Sequence, residues 1–391
     1  MLKIAYLYQL DASNPAVQSG RPASILRNLS AQGAAIHEVF PMATQTSRLS
    51  MLKKLLYRLA GRYYRGDREP KYLSAIAAEF DRRTRGINYD IAFCPGSEAV
   101  SHLEAKRPIV FCADATFANI IDYYWDFSSL SSEYVRKGHL QEANALRRAA
   151  LAIYPSEWAA RSAINFYHAE PDKVAIIPFG ANLGSQNSRD QVHQWIAGRR
   201  HESLRLLFVG RSWKRKGGDL VVETAKHLVQ RGLRVTLDVV SGDAPHSVHR
   251  MPWITHHGLL DPNKKSAAAQ LGDLFKSAHF VFIPSRAEAY GMAFAEANAF
   301  GVPAIGTTTG GIPSVIHEGV NGFTLPLSAD AANFADLIAG TIAQPERYQA
   351  LCRKSFEEFE LRLNWRTFCA RFLDLASQFT DSPAQKSRDF A

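Results

Sequence analysis

Short apolar runs alternate with helix-like stretches twice along the chain, and no other feature constrains its folding as much. In the first half, IAYLY at 4–8, DIAFC at 90–94, PIVFC at 108–112 and LAIYPS at 151–156 have the length and apolar continuity of buried parallel strands. Helical stretches at 25–31, 75–83 and 139–149 lie between them, and VAIIPFGANL at 174–183 closes the series. A polar stretch at 184–203 reads as a linker with a short helix around 191–196. The alternation then restarts with LRLLFVG at 204–210, VTLDVVSG at 235–242, ITHHG at 254–258, HFVFIPS at 279–285 and PAIGTT at 303–308. Two such series predict an α/β chain of two doubly wound, Rossmann-like domains, 1–183 and 204–364, joined by the 184–203 linker. A length of 391 residues suits two domains better than one. Open parallel sheets take ligands at the carboxyl ends of their strands, so a cleft is expected between the domains.

A hydrophobic fraction of 46% and a charged fraction of 21% are those of a soluble globular protein. No apolar run approaches the ~20 residues that span a bilayer, and MLKIAYLYQL reads as a first strand rather than a signal peptide. Cys94, Cys112, Cys352 and Cys369 form no CxxC pair, which fits buried free thiols in a reducing cytoplasm. Much of the net charge of +9 is local: 48–71 holds eight basic residues against Asp67 and Glu69. Leu49, Leu52, Leu56 and Leu59 recur there at helical spacing, with Lys53, Lys54, Arg58 and Arg62 largely off that face. The pattern fits a helix lying on an anionic membrane surface, which would hold a cytoplasmic protein at the inner face of the membrane. It fits equally a docked helix with a solvated basic face. No interleaved aromatic and basic motif accompanies the charge, so a nucleic-acid partner is not expected.

Two segments carry candidate chemistry. SRAEAYGMAFAEANAFGVPAIGTTTGGIP at 285–313 opens at a strand end and starts a helix near Gly291. Glu288 sits in the loop and Glu296 lies eight residues on, at most ~12 Å away at ~1.5 Å rise per residue. That spacing suits carboxylates gripping opposite ends of a nucleotide sugar, although a loop and a helix carry ordinary carboxylates as well. Amides of Gly291, Met292 and Ala293 would be the orphan donors of the helix start, with Ala289 and Tyr290 in the same donor-binding loop. In LLFVGRSWKRKGGDLVVETAKHL at 206–228 a strand ends at Gly210 and Arg211 follows. Lys214, Arg215 and Lys216 crowd the loop before Gly217 and Gly218, and Asp219 is placed to cap the next helix. Alone this is a basic surface loop; above a strand end its cations suit a diphosphate.

Taken together, the segments fit a sugar leaving a nucleoside diphosphate. Fixed cations and a helix start would neutralise the charge that other enzymes give to a bound metal. No DxD or His cluster occupies a matching loop, so neither a metal nor a cofactor is expected, only a nucleoside-diphosphate sugar as co-substrate. Asp11, Asp238 and Asp243 are isolated and read as structural. The first strand runs into QLDASNPAVQSG rather than GxGxxG, which argues against a nicotinamide dehydrogenase.

With PSEWAARSAI at 155–164, IIPFGANL at 176–183, ITHHGLLD at 254–261 and GGIPSVIHEGVNGF at 310–323, these segments resemble the retaining glycosyltransferases of family 4. The resemblance is strong over 155–326 and fair elsewhere. It implies the GT-B architecture, a nucleotide-sugar-binding second domain and an acceptor-side first domain onto which the last helix, 365–380, returns. It implies that Glu288 contacts donor-sugar hydroxyls, Glu296 the ribose, and Arg211 and Lys216 the diphosphate, with Gly258 and Leu260 bordering the base. The expected reaction moves a hexose-type sugar, with retention, to an unidentified acceptor hydroxyl in cell-envelope polysaccharide, glycolipid or other glycoconjugate synthesis. Two departures stand out. Ala113-Asp114-Ala115 replaces the family's His-Asp, leaving Asp114 either to serve near the reacting sugar or to cap. Ser19-Gly20 replaces a Gly-Gly, with Gly20 still able to approach a phosphate. Ser314 also stands where a Glu is frequent. Aromatics of the 113–134 loop (Phe117, Tyr123, Tyr124, Trp125 and Phe127) suit stacking on an acceptor sugar or lipid and equally suit core packing. A nucleotide-sugar epimerase or hydrolase keeps the same architecture but needs no acceptor. A non-catalytic basic membrane-surface protein would gain no stability from nucleoside diphosphate.

Overall fold

The computed structural model describes residues 1–42, 48–183, 186–199, 202–261 and 263–379. It resolves into two units: Met1–Ile177 with the chain from Phe368 onward, and Pro178–Thr367.

The first unit holds six parallel strands, β1 (Lys3–Leu7), β2 (Ala35–Val39), β3 (Ile91–Cys94), β4 (Ile109–Cys112), β5 (Leu151–Tyr154) and β6 (Val174–Ile176), in the order β2-β1-β3-β4-β5-β6. Every residue of β3, β4 and β5 is buried, which is why these strands read as unbroken apolar runs. β2 was not among the expected strands: it lies at the sheet edge, and His37 and Glu38 interrupt its apolar pattern. Leu73, Ile76 and Phe80 of the helix Pro70–Thr84 cover one face together with Ala5, Leu7, Ala92 and Phe111. The final helix, Trp365–Ser377, contributes to this unit from Phe368 on. Phe372 meets Phe93 edge-on at 4.8 Å, and the Cys369 thiol donates to the Ile25 carbonyl at 3.7 Å. All four cysteines are buried free thiols.

The second unit holds β7 (Leu204–Val209), β8 (Val235–Val240), β9 (Ile254–His256), β10 (Phe280–Phe282), β11 (Ala304–Thr307) and β12 (Gly322–Leu325), all parallel, in the order β12-β11-β10-β7-β8-β9. The order reverses between β7 and β10, so the loops leaving those neighbouring strands flank the point where doubly wound sheets take their ligands. The stretch read as a linker is built into this unit. Its helix Arg189–Gly198 buries Val192 and Ile196, and a Cβ on Gly301 would come within 2.8 Å of Val192. Arg199 then ties the chain down by donating to the carbonyls of Gly301 at 2.6 Å and Phe300 at 2.7 Å. The alternation of Val192 and Ile196 at i, i+4 is a docking stripe, not a free spacer.

Candidate functional site

Glycine makes the β7 loop possible. β7 ends before Gly210, where the aliphatic stem of Lys216 lies so close that an added Cβ would stand 2.9 Å from its Cγ. The single turn Trp213–Lys216 closes on Gly217, whose φ of +77° is left-handed and whose Cβ, if present, would meet the Pro284 carbonyl oxygen at 2.2 Å. Gly218 is held flat against the Trp213 ring, with 2.4 Å between its missing Cβ and the indole carbons. The Trp213 amide donates to the Asp243 carboxylate at 2.8 Å, which gives that acid a structural duty. Asp238 is likewise structural, buried and accepting from His257 Nε2 at 2.8 Å.

The β10 loop is fixed residue by residue. Thr307 donates its hydroxyl to the Ser285 carbonyl at 2.5 Å, and the Arg286 amide donates to the Arg215 carbonyl at 2.7 Å. The Arg286 guanidinium forks onto Asp219, both contacts at 2.8 Å, and also donates to the Lys214 carbonyl. Gly217, not Asp219, is the N-cap residue of the helix Gly218–Gln230; the Asp219 carboxylate sits in the first turn, where it accepts from the Asp219 and Leu220 amides and faces Arg286. The Gly311 amide donates to the Glu288 carbonyl at 3.1 Å, and the Tyr290 hydroxyl donates to the Phe179 carbonyl at 2.7 Å. Gly291, at φ +98°, turns the chain into the helix Met292–Asn298 with Phe294 tight beneath it.

The two loops meet at Glu288. Its carboxylate is buried and pairs with Lys216 Nζ, while Arg215 Nη1 lies at 3.4 Å and also donates to the Ala287 carbonyl at 2.7 Å. Burial pushes this carboxyl up, but the ammonium and the guanidinium together pull it below the ordinary Glu value. A carboxylate that stays ionised while buried needs such company. Arg211, expected beside Lys216, is exposed and forms no ion pair among the described residues; Arg215 is the arginine that reaches Glu288. Sequence reading placed Arg215 in the cluster without singling it out, because neighbouring loop cations look alike until the turn at Gly217 aims them. Glu296, one turn into the helix, is partly exposed; burial lifts it to about 7 against opposing pulls from the Asn182 amide and Lys216. Met292 and Ala293 are partly exposed, and Ala289 and Tyr290 are buried. Gly258 sits at φ +69° with open space around it, and Leu260 is partly exposed.

In the first unit, Gly20 is the left-handed start of the helix Arg21–Ala31, following Gln18 and Ser19 at positive φ. Arg21, buried, donates to Gln18 Oε1 at 2.5 Å and to the Pro95 carbonyl at 3.2 Å, so it joins the loops after β1 and β3. Asp114 is exposed and 3.9 Å from Arg21; the next short helix is capped by Thr116, with Asn119 completing the box. Of the aromatics in this region, Phe117 is core, packed with Tyr64, Leu130 and Tyr134. Tyr123 leans on Trp158 at 5.0 Å, and Trp125 is 82% exposed. Among the described residues no group of three or more His, Cys, Asp or Glu side chains is arranged to hold a metal ion.

Two doubly wound units, the second with cations and a carboxylate at its switch point, are the layout of the GT-B fold. A model described as Glycosyltransferase Family 4 matches 23–184, and one described as Glycosyl transferases group 1 matches 190–357. The chain belongs to glycosyltransferase family 4. Relatives include D-inositol 3-phosphate glycosyltransferases from Xylanimonas cellulosilytica, 27% identical over 56% of this chain and 55% of its own length, and from Catenulispora acidiphila, 29% identical over 48% of each. The chain thus spans about half the length of the curated relatives it matches. Among solved structures, a glycosyltransferase from Rickettsia africae superposes with a TM-score of 0.66 at 14% identity, covering 97% of this chain and 99% of the other. The Anabaena protein HepE, solved with UDP and glucose, superposes at 0.62 with 18% identity over 97% of this chain and all of its own. At these identities the superpositions show the fold alone.

Proposed function

We propose that the chain is a retaining glycosyltransferase that moves a hexose-type sugar from a nucleoside-diphosphate donor to an acceptor hydroxyl without a metal. The observation that carries this reading is the convergence of Lys216 and Arg215 on the buried Glu288 where the strand order of the second unit reverses. In the reaction, the bond from the anomeric carbon to the β-phosphate oxygen breaks and its electron pair stays with the diphosphate. Lys216 and Arg215, with Arg211 swinging in from the exposed loop, neutralise that charge. The acceptor oxygen bonds to the same face of the sugar, and its proton passes to the β-phosphate oxygen.

Glu288 holds sugar hydroxyls, Glu296 the ribose, and the loop at Gly258 and Leu260 the base. The roles of Asp114 and Gly20, beside the reacting sugar and the phosphates, rest on their places in the sequence pattern. HepE, solved with UDP-glucose, supports a nucleotide-sugar donor. The D-inositol 3-phosphate glycosyltransferase relatives support transfer to a hydroxyl acceptor, and the placement of that transfer in cell-envelope polysaccharide, glycolipid or other glycoconjugate synthesis rests on the sequence pattern. We place the enzyme in the cytoplasm, at the inner face of the membrane.

Turnover tests the reading. Lys216→Ala and Glu288→Ala are each expected to lower kcat at least ~100-fold, the cost of one lost transition-state contact. Unchanged turnover in both overturns it, and product formed from donor alone points instead to an epimerase or hydrolase.

A further inference from the structure

The helix Arg48–Leu59 is mounted inside out. Its inward side is polar. Ser50 is buried, Lys53 Nζ pairs with Glu133 at 2.5 Å, and the Tyr57 hydroxyl donates to Glu133 at 3.0 Å while its ring stacks on Tyr64 at 5.3 Å. At ~3.6 residues per turn, Ser50, Lys53 and Tyr57 share one side, and Leu52, Leu55, Leu56 and Leu59 fall on the other. Those leucines, with Leu49 and Met51, are between 52% and 79% exposed. The docked-helix reading of the sequence therefore fails in a specific way, since the side that docks is not the leucine side. The apolar exposure extends beyond the helix to Tyr63 at 55% and to Trp125, whose loop is tied to the helix's exit by Arg65 donating to the Asp126 carbonyl at 3.1 Å. A water-facing patch of this kind marks an interaction site.

Charge selects the occupant. Lys54, Arg58 and Arg62 are exposed around the leucine face, and no acidic residue occurs from 48 to 66. Glu133 and Glu69 below the helix are already engaged by Lys53 and Lys137. Among the described residues no helix is long and apolar enough to cross a membrane. We propose that this helix docks in the plane of an anionic lipid bilayer, with the leucines in the acyl boundary, Lys54, Arg58 and Arg62 on the headgroups, and Trp125 at the interface. The docking does not depend on the glycosyl-transfer chemistry.

Sedimentation of the full chain with phosphatidylcholine vesicles, with and without phosphatidylglycerol, tests it. Binding is expected to the anionic vesicles and to fall as salt rises. Leu52→Glu with Leu56→Glu is expected to abolish it. Lys54→Gln with Arg58→Gln should weaken it by roughly fivefold per charge. Stabilisation by nucleoside diphosphate should persist in both double variants, which shows that they fold and keeps this test separate from that of the donor site. Equal binding to neutral vesicles, no binding to anionic ones, or a dimer in sedimentation velocity that the leucine substitutions dissociate would each overturn the proposal.

Discussion

Lys216 and Glu288 form an ion pair across the loops that leave β7 and β10, the two strands between which the sheet order of the second unit reverses. A diphosphate entering here must share Lys216 with the carboxylate, so the two side chains act as a unit. A double-mutant cycle in kcat/KM is the appropriate measurement. Lys216→Ala combined with Glu288→Gln should lose no more than ~10-fold beyond the worse single variant, whereas fully additive losses would separate the two roles.

Gly217→Ala probes how the loop is held. The alanine would have to keep a left-handed backbone and place its methyl on the Pro284 carbonyl. Strain and collision together should cost about 3 kcal/mol. At roughly 2–4 °C per kcal/mol for a unit of this size, the Tm should fall by about 6–12 °C. An unshifted Tm would mean that the KGG turn is not under this constraint.

Glu296 gives the donor site a pH dependence. Burial raises this carboxyl to about 7, so it is largely protonated below that pH and a carboxylate above it. In the proposed ribose-binding role, hydroxyls would donate to the carboxylate, so nucleotide-sugar affinity should rise as pH increases through about 7. Glu296→Gln should flatten that rise. Isothermal titration with the intact nucleotide sugar, whose diphosphate does not titrate in this window, measures it.

Glu142 makes the converse statement about stability in the first unit. Burial lifts it to about 7, Arg68 draws it back with 4.0 Å between charged atoms, and Ser97 donates to it at 2.8 Å. A raised carboxyl stabilises the fold fully below its unfolded value of about 4.5, and that contribution is lost as pH climbs through about 7. Glu142→Gln should remove this slope from a plot of Tm against pH. Arg68→Ala, which also strips a guanidinium from the Phe117 ring at 4.2 Å and leaves the buried Glu142 without its cation, should cost about 3 kcal/mol.

The strands buried on both faces were legible because burial leaves an unbroken apolar run. Of the four edge strands, β6 and β9 were also read, whereas β2 and β12 were not, since His37 and Glu38 interrupt the one and the other follows directly on the GGIPSVIHEGVNGF loop with Thr324 partly exposed. Glu288 and Lys216 were legible from their segments. That Arg215 rather than Arg211 reaches Glu288 was not, since it depends on the turn closed at Gly217 and on hydrogen bonds from chain far away in sequence, such as the Gly311 amide. The amphipathic pattern of 48–59 was visible, but which face would meet the body depended on Glu133, eighty residues from Lys53. The NGF of the last motif turns out to be architecture: Asn321 donates to Asn298 at 2.7 Å, and Gly322 passes within a methyl's reach of the Ala304 carbonyl.

In the proposed mechanism Lys216 neutralises a nucleoside diphosphate. Uridine, guanosine, adenosine and thymidine diphosphates are first ranked by the rise in Tm each produces, and the strongest is titrated calorimetrically into the wild type and Lys216→Ala. At least ~10-fold weaker binding to the variant, the loss of one charged contact, is the predicted result. Equal affinities would remove Lys216 from the diphosphate site.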